Sequence, residues 1–532
     1  MNMTMRVLLA ATVLAIVSTV TGAAFARDVI QEKCPKRTLE QAPEDVGDDL
    51  LIDVDCKVPA GTYTWRNVRI INNGTLRFED TPNGVINFTA ASISIEAGGE
   101  LVAGTSDLPF GSSDGQLNFA FTGAPPRTCE ALDSHADWCG KGIIVRKGAT
   151  LNLYGAKGAT ASSVSWTHLR DAAGPNVPGA KVAGTGTSTL KLARDVTLGK
   201  GAWKANDWIA VATTSFSPFE TEFVQLAADP TPDASTGGSQ VTLKHALKHY
   251  HFGGKDPGFP SAANYNGDKS TADYNYGVDE RAEVGLISRS IKLTATVDAG
   301  NPHWGGEIKI LTGFTHVVLQ GAELENFGKA HLGAYPIHLH QLGPVAAGTL
   351  TINANSVHHS YNKCLTLHSS QDVTVENMVC ARIIGHIFYQ EYGDESGTKY
   401  LNNLGLGAMS NSFDVPDHLR GQFWAGDNLA ATIGYNGFKV PNTDDQQNPV
   451  RGVCACRGVK EPARVECADA PSQTGELTIL GNHTPYTPPH PAACSSADVY
   501  FEPASGFWIV NPTTVLEGNS IGGCQGVGRA YW

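Results

Sequence analysis

Four histidines fall in three short segments of similar pattern: His338 and His340 in Ile337-His338-Leu339-His340, His368 in Leu365-Thr366-Leu367-His368, and His386 ahead of Ile387-Phe388-Tyr389-Gln390. A lone strand histidine is usually structural, but several protonatable rings brought together repel once charged. Such a cluster implies a bound metal, shared protons or an anionic ligand. Imidazoles suit zinc, copper, iron or nickel, whereas calcium needs carboxylate and carbonyl oxygens. Glu391, Asp394 and Glu395 follow the third segment. A carboxylate tuned by burial and by imidazoles can serve as general acid or base, and a suitably spaced pair supports glycoside hydrolysis. Asp394 reads as a solvated turn, and parity points Glu391 inward unless the strand ends there. Phe388, Gln390, Phe423 and Trp424 offer rings for sugar faces and amides for hydroxyls. In a lyase, a metal would neutralise a uronate carboxylate while Arg382 or a neutral histidine removes the adjacent proton. The catalytic candidates are therefore His338, His340, His368, His386, Glu391 and Glu395. Phe388, Gln390, Arg382 and Trp424 are the substrate-binding candidates, and the same four histidines are the metal ligands.

These residues need a scaffold that stacks them. Residues two apart on a strand share a face, so Ile337 and Leu339, Leu365 and Leu367, and Ile387 and Tyr389 are expected to fill an interior while the histidines face out. Segments repeat at an offset of 28 residues from His340 to His368, and of 22 from Cys364 to His386, the latter offset also placing Val357 over Val379. At those offsets His340, His368 and Gln390 form one column, with strands about 4.8 Å apart. Repeats of this length built from short strands imply a solenoid whose coils bury their apolar face by stacking, and a right-handed parallel β-helix fits. Upstream, Val68 to Phe78, Ile93 to Ala103 and Ile143 to Tyr154 alternate around glycine turns as a repeated β unit. His245, His249 and His251 have no assignable face, and His358-His359 reads as a polar coil corner.

The 532 residues include 58 Gly, 39 Lys and Arg, and 52 Asp and Glu, for a formal net charge of −13. That composition suits a turn-rich all-β protein and argues against nucleic acid, since no basic run neutralises phosphates. Arg6, the apolar stretch Val7 to Ala26 and the small-residue site Ala24-Phe25-Ala26 read as a signal peptide over residues 1–26, giving a secreted protein, extracellular or periplasmic. No later apolar run is long enough to span a membrane. Eleven cysteines in an exported chain suggest disulfides. Cys34 with Cys56 and Cys129 with Cys139 are local candidates, Cys454, Cys456, Cys467 and Cys494 crowd one region, and the odd count leaves one thiol over.

The residues carry a family resemblance. Val58-Pro59-Ala60-Gly61, Gly74 to Asp80, Ile95 to Leu101 and Asp207 to Ala212 resemble the repeats of the eight-glycine (G-eight) domain, and Asp279 to Arg289 is similar to the segment after it. Tyr335 to His340, Val357 to Ser360, Cys364 to His368, Gly385 to Phe388, Asn403 to Leu406 and Gly506 to Pro512 resemble the β-helix of the cell-migration-inducing and cell-surface hyaluronidases. The likeness implies a G-eight-type β domain and connecting segment over 27–290, a right-handed parallel β-helix over 291–532, and calcium-dependent endo-cleavage of hyaluronan or a related glycosaminoglycan outside the cell. Carried over by position, the site candidates are His338, His340, His368, His386, Glu391 and Glu395. Pro344 after Gly343, and Tyr392 before Gly393, stand where the family has aspartates, which removes two oxygen ligands. The chain ends at Ala530-Tyr531-Trp532 inside a strand-like stretch where relatives continue. The sequence also admits a non-catalytic carbohydrate-binding or adhesion module, and a metal-dependent oxidoreductase on the same histidines.

Overall fold

The computed structural model describes residues 29–31, 49–133, 137–159, 163–175, 188–214, 220–253, 279, 281–297, 304–329, 333–409, 453–454, 465–466, 504–524 and 529–531. Short alternating segments become strands, and each turn of the chain adds one strand to each of three parallel sheets of eleven, nine and nine strands. One coil runs through Ile337–Pro344, Leu350–Asn353 and Ser356–Ser360, and the next through Leu365–Gln371, Thr374–Glu376 and Val379–Ile384. All pairing between these coils is parallel. This is a parallel β-helix. Its interior is a continuous apolar column from Leu50 to Ile509, including Ile337, Leu339, Leu365 and Leu367. The expected core face at those positions is observed. Glycines sit where stacked corners touch: a Cβ on Gly99 would lie 2.2 Å from the Ile70 carbonyl oxygen, and one on Gly74 2.4 Å from that of Ile52.

The upstream repeats and the histidine-bearing coils belong to one solenoid, because Gly142–Val145 pairs directly with Glu307–Leu311 and Gln116–Phe121 with Ile291–Ala295. Between Tyr154 and Ile291 the chain leaves the coils to form antiparallel sheets of four and three strands. Trp208–Val211, which resembled a G-eight repeat, lies in the four-stranded one. The insert packs its own apolar cluster against Val379, Ala381, Leu404 and Leu406 on the outside of the solenoid. Disulfides join Cys129 to Cys139, as expected, and Cys364 to Cys380, which ties the entry of the coil that begins with Leu365–Gln371 to its last strand. Cys56 is also disulfide-bonded. Among the described residues Cys524 is the free cysteine, its thiol pushed up to about 12 by burial. The segment 1–26, the Cys456, Cys467 and Cys494 positions, Phe423 and Trp424 lie outside the described residues.

Candidate functional site

The eleven-stranded sheet carries the histidine wall. Strand pairing sets His338 against Lys309 and Thr366, and His340 against Leu311 and His368. The predicted offset of 28 is therefore the observed one. His338 and His340 stand on the outward face, yet both are buried, with His368, under neighbouring loops. The ligand-capable atoms of the three rings lie within 4.8 Å of one another. His340 Nδ1 faces His368 Nδ1 at 3.1 Å. His340 Nε2–H donates to Asp133 Oδ2 at 2.6 Å. His338 Nδ1–H donates to the Gly333 carbonyl at 2.8 Å, which leaves the lone pair on Nε2, a buried atom without a hydrogen-bond partner among the described residues. Burial, then the charges of Lys309 and the neighbouring imidazoles, hold the His338 pKa well below the usual histidine range. Burial also lowers that of His340, against the raising effect of Asp133. His338 thus has one nitrogen fixed by a hydrogen bond and the other without a partner among the described residues, as metal-ligating histidines have, while the second nitrogen of His340 faces His368.

The third coil is shifted from the expected register. Leu365 pairs with Phe388 and Leu367 with Gln390, an offset of 23 instead of 22. One residue of slip exchanges the two faces of a strand. Phe388, placed on the wall by the sequence pattern, is fully buried in the core, stacked 4.7 Å from Phe507. Gln390 is buried as well: its amide donates to Thr514 Oγ1, and its carbonyl accepts from the backbone of Val510 and Asn511. Tyr389 takes the outward position beside Thr366. The same slip brings Glu391 to the wall, where Oε2 lies 3.6 Å from His368 Nδ1 and Oε1 accepts from Tyr335 Oη at 3.2 Å.

His386, Glu395 and Arg382 go elsewhere. His386 Nδ1 lies 2.8 Å from Ser505 Oγ, its ring against Trp508, so three histidines rather than four form the cluster. Glu395 is fully buried and accepts backbone N–H groups from Ser369, Tyr392 and Gly393, which fixes a turn. Arg382 belongs to another face of the coil, beside His359.

Two contributors were not read from the sequence. Asp133 lies within the Cys129–Cys139 loop, 207 residues from the ring it contacts. Three buried lysines pin this region: Lys309 Nζ donates to the Asp137 carbonyl, Lys329 Nζ to that of Gly140, and Lys141 Nζ to that of Trp304. Glu307, unexposed, bridges Lys309 at 2.8 Å and Lys329 at 2.7 Å. The short cysteine spacing was the available signal for a built loop. Tyr392 is the second, 52% exposed with its ring 4.5 Å from that of His368. An exposed aromatic ring of this kind suits a sugar face. The wall thus has a buried histidine floor, two carboxylates at its edge and an exposed tyrosine beside it.

Fold and wall define a β-solenoid protein with a histidine-centred site on one sheet. Residues 38–170 match the family model of the G8 domain, and residues 303–431 that of the CEMIP beta-helix. The chain is 29% identical over 233 residues to the human cell surface hyaluronidase CEMIP2, covering 41% of this chain and 15% of that protein. It is likewise 29% identical over 223 residues to the human cell migration-inducing and hyaluronan-binding protein, covering 38% of this chain and 15% of that one. The matched stretch thus spans about a seventh of these relatives. A solved tailspike of Acinetobacter baumannii bacteriophage AP22, in complex with capsular saccharide, aligns over 67% of this chain and 47% of its own at 11% identity and a TM-score of 0.17.

Proposed function

We propose that this chain is a secreted, polysaccharide-active protein that cleaves hyaluronan or a related uronate-containing polymer at the histidine wall. The observation that carries the reading is Glu391 beside His368 on the same wall as the His340–Asp133 pair. Glu391 would exchange a proton with the glycosidic oxygen or with water, while Tyr335 holds its other oxygen in place. Asp133 orients His340, and Tyr392 offers a stacking surface for the sugar. The relatives' names, one a cell surface hyaluronidase, support the substrate class and an extracellular location. Disulfides support the latter, and no helix among the described residues is long and apolar enough to cross a membrane.

The donor set also supports a divalent metal. His338, His340 and His368 would hold it, and three imidazoles favour a transition ion over calcium. When bound, such an ion supplies Lewis-acid polarisation of an oxygen. The chain's own part is to bury the rings, lower the His338 and His340 pKa values and orient the rings through Gly333 and Asp133. The test is incubation with hyaluronan, scoring new reducing ends and the absorbance of an unsaturated uronate. Reducing ends alone support hydrolysis and both together a lyase. An unshortened polymer, with the protein still retained on a hyaluronan column, would replace the reading with a binding module.

A further inference from the structure

A second cluster lies on a different face of the coil. Glu325 ends the strand Ala322–Glu325 and pairs directly with His358 of Ser356–Ser360, in the next coil. Side chains of neighbouring strand residues normally point to opposite faces, which would part His358 from His359. His359 instead takes φ +51°, and its Nδ1 comes 2.8 Å from Nδ1 of His358. Asn326 and Arg382, on either side in the stack, share this left-handed corner, so the bend belongs to the solenoid. This rung adds two imidazoles beside a carboxylate to that corner. We propose that Glu325, His358 and His359 form a second site for a divalent transition metal such as zinc, separate from the wall, where the insert meets the solenoid.

The ligand-capable atoms of the three residues lie within 4.8 Å of one another. Glu323 Oε1 accepts from His358 Nε2–H at 3.1 Å, which leaves the Nδ1 lone pair turned toward His359. A buried carboxylate behind a ring is the usual support for a ligating histidine. Lys292 reaches Glu323 at 3.0 Å and Glu325 Oε2 at 2.7 Å. Arg382 Nη1 lies 3.4 Å from His359 Nε2. Two carboxylates thus face two cations, and an incoming divalent ion is best accommodated if Lys292, about a third exposed, swings into solvent. That exposure also gives an entry path. Phe223, from the inserted strand Glu222–Gln225, covers the site with its ring 4.8 Å from that of His359. Three protein ligands leave an open position for water. Ligands from two coils, under an aromatic ring of the insert, would join the three parts.

The inference is independent of the proposed cleavage, and the test silences the wall first. In the full chain carrying His340→Ala and His368→Ala, zinc chloride is titrated by calorimetry and retained zinc is counted by elemental analysis. Cobalt absorption in the same background reports imidazole ligation. About one equivalent is expected, with affinity falling at least tenfold on adding Glu325→Gln or His359→Ala and the cobalt bands weakening in parallel. Far-UV circular dichroism identifies any variant that fails to fold, and Glu325→Gln, which keeps the shape, decides alone if His359→Ala does. No zinc in the silenced background, or binding indifferent to Glu325→Gln, overturns the proposal.

Discussion

Glu391 and His368 stand side by side on the outward face of successive coils, Oε2 to Nδ1 at 3.6 Å. Glu391→Gln keeps the shape and the Tyr335 contact but removes the proton-exchanging group. Cleavage of hyaluronan should fall about 10²- to 10⁴-fold, the usual worth of a positioned acid or base. Retention on a hyaluronan column should change little. A variant with full cleavage would assign the chemistry to another group.

Asp133 acts on the wall through His340, so its removal should behave differently. In Asp133→Asn the raising influence on the His340 pKa is lost while burial still lowers it. The ring then stays neutral to lower pH. The acidic limb of the pH–rate profile should move toward acid, and activity or metal affinity should drop about 10- to 100-fold, as for other supporting carboxylates. An unmoved acidic limb would show that His340 does not govern it.

The register of the third coil is tested by two aromatic truncations with opposite signatures. Phe388→Ala empties a fully buried position between Phe507 and Tyr400 and should cost about 3–5 kcal/mol in denaturant unfolding. Tyr392→Ala removes an exposed ring and should leave stability nearly unchanged while weakening polysaccharide binding. The reverse pattern would restore Phe388 to the wall.

What the sequence made legible follows from its alternation. Ile337-His338-Leu339-His340 and Leu365-Thr366-Leu367-His368 separate apolar from polar faces cleanly, so their pairing could be read by eye and the structure reproduces it. Ile387-Phe388-Tyr389 does not alternate, and nothing local distinguishes an offset of 22 from 23. The corner takes up the extra residue, which sends Phe388 inward and Glu391 outward. Asp133 was illegible for another reason: its approach to His340 depends on a disulfide loop anchored by lysines from distant coils. His358-His359 read as an ordinary corner, because the left-handed bend that brings the rings together has no sequence signature of its own.

Buried neutral histidines make stability depend on pH in a definite direction. Burial, then the neighbouring His358 and Arg382, lower the His359 pKa to about 4. An unfolded histidine titrates near 6.5. Between these values the unfolded chain binds more protons, so stability rises with pH. The contribution of His359 is fully present above about pH 6.5 and is lost as pH falls toward 4, at most about 3 kcal/mol over the interval. His338 and His340, also lowered, add in the same sense. Urea midpoints measured in EDTA from pH 7 to 4.5 should fall steadily, and His359→Gln should flatten the slope. Parallel slopes for the two proteins would mean that the His359 ring takes up its proton in the folded state as readily as in the unfolded chain, which would overturn burial as the dominant influence on it.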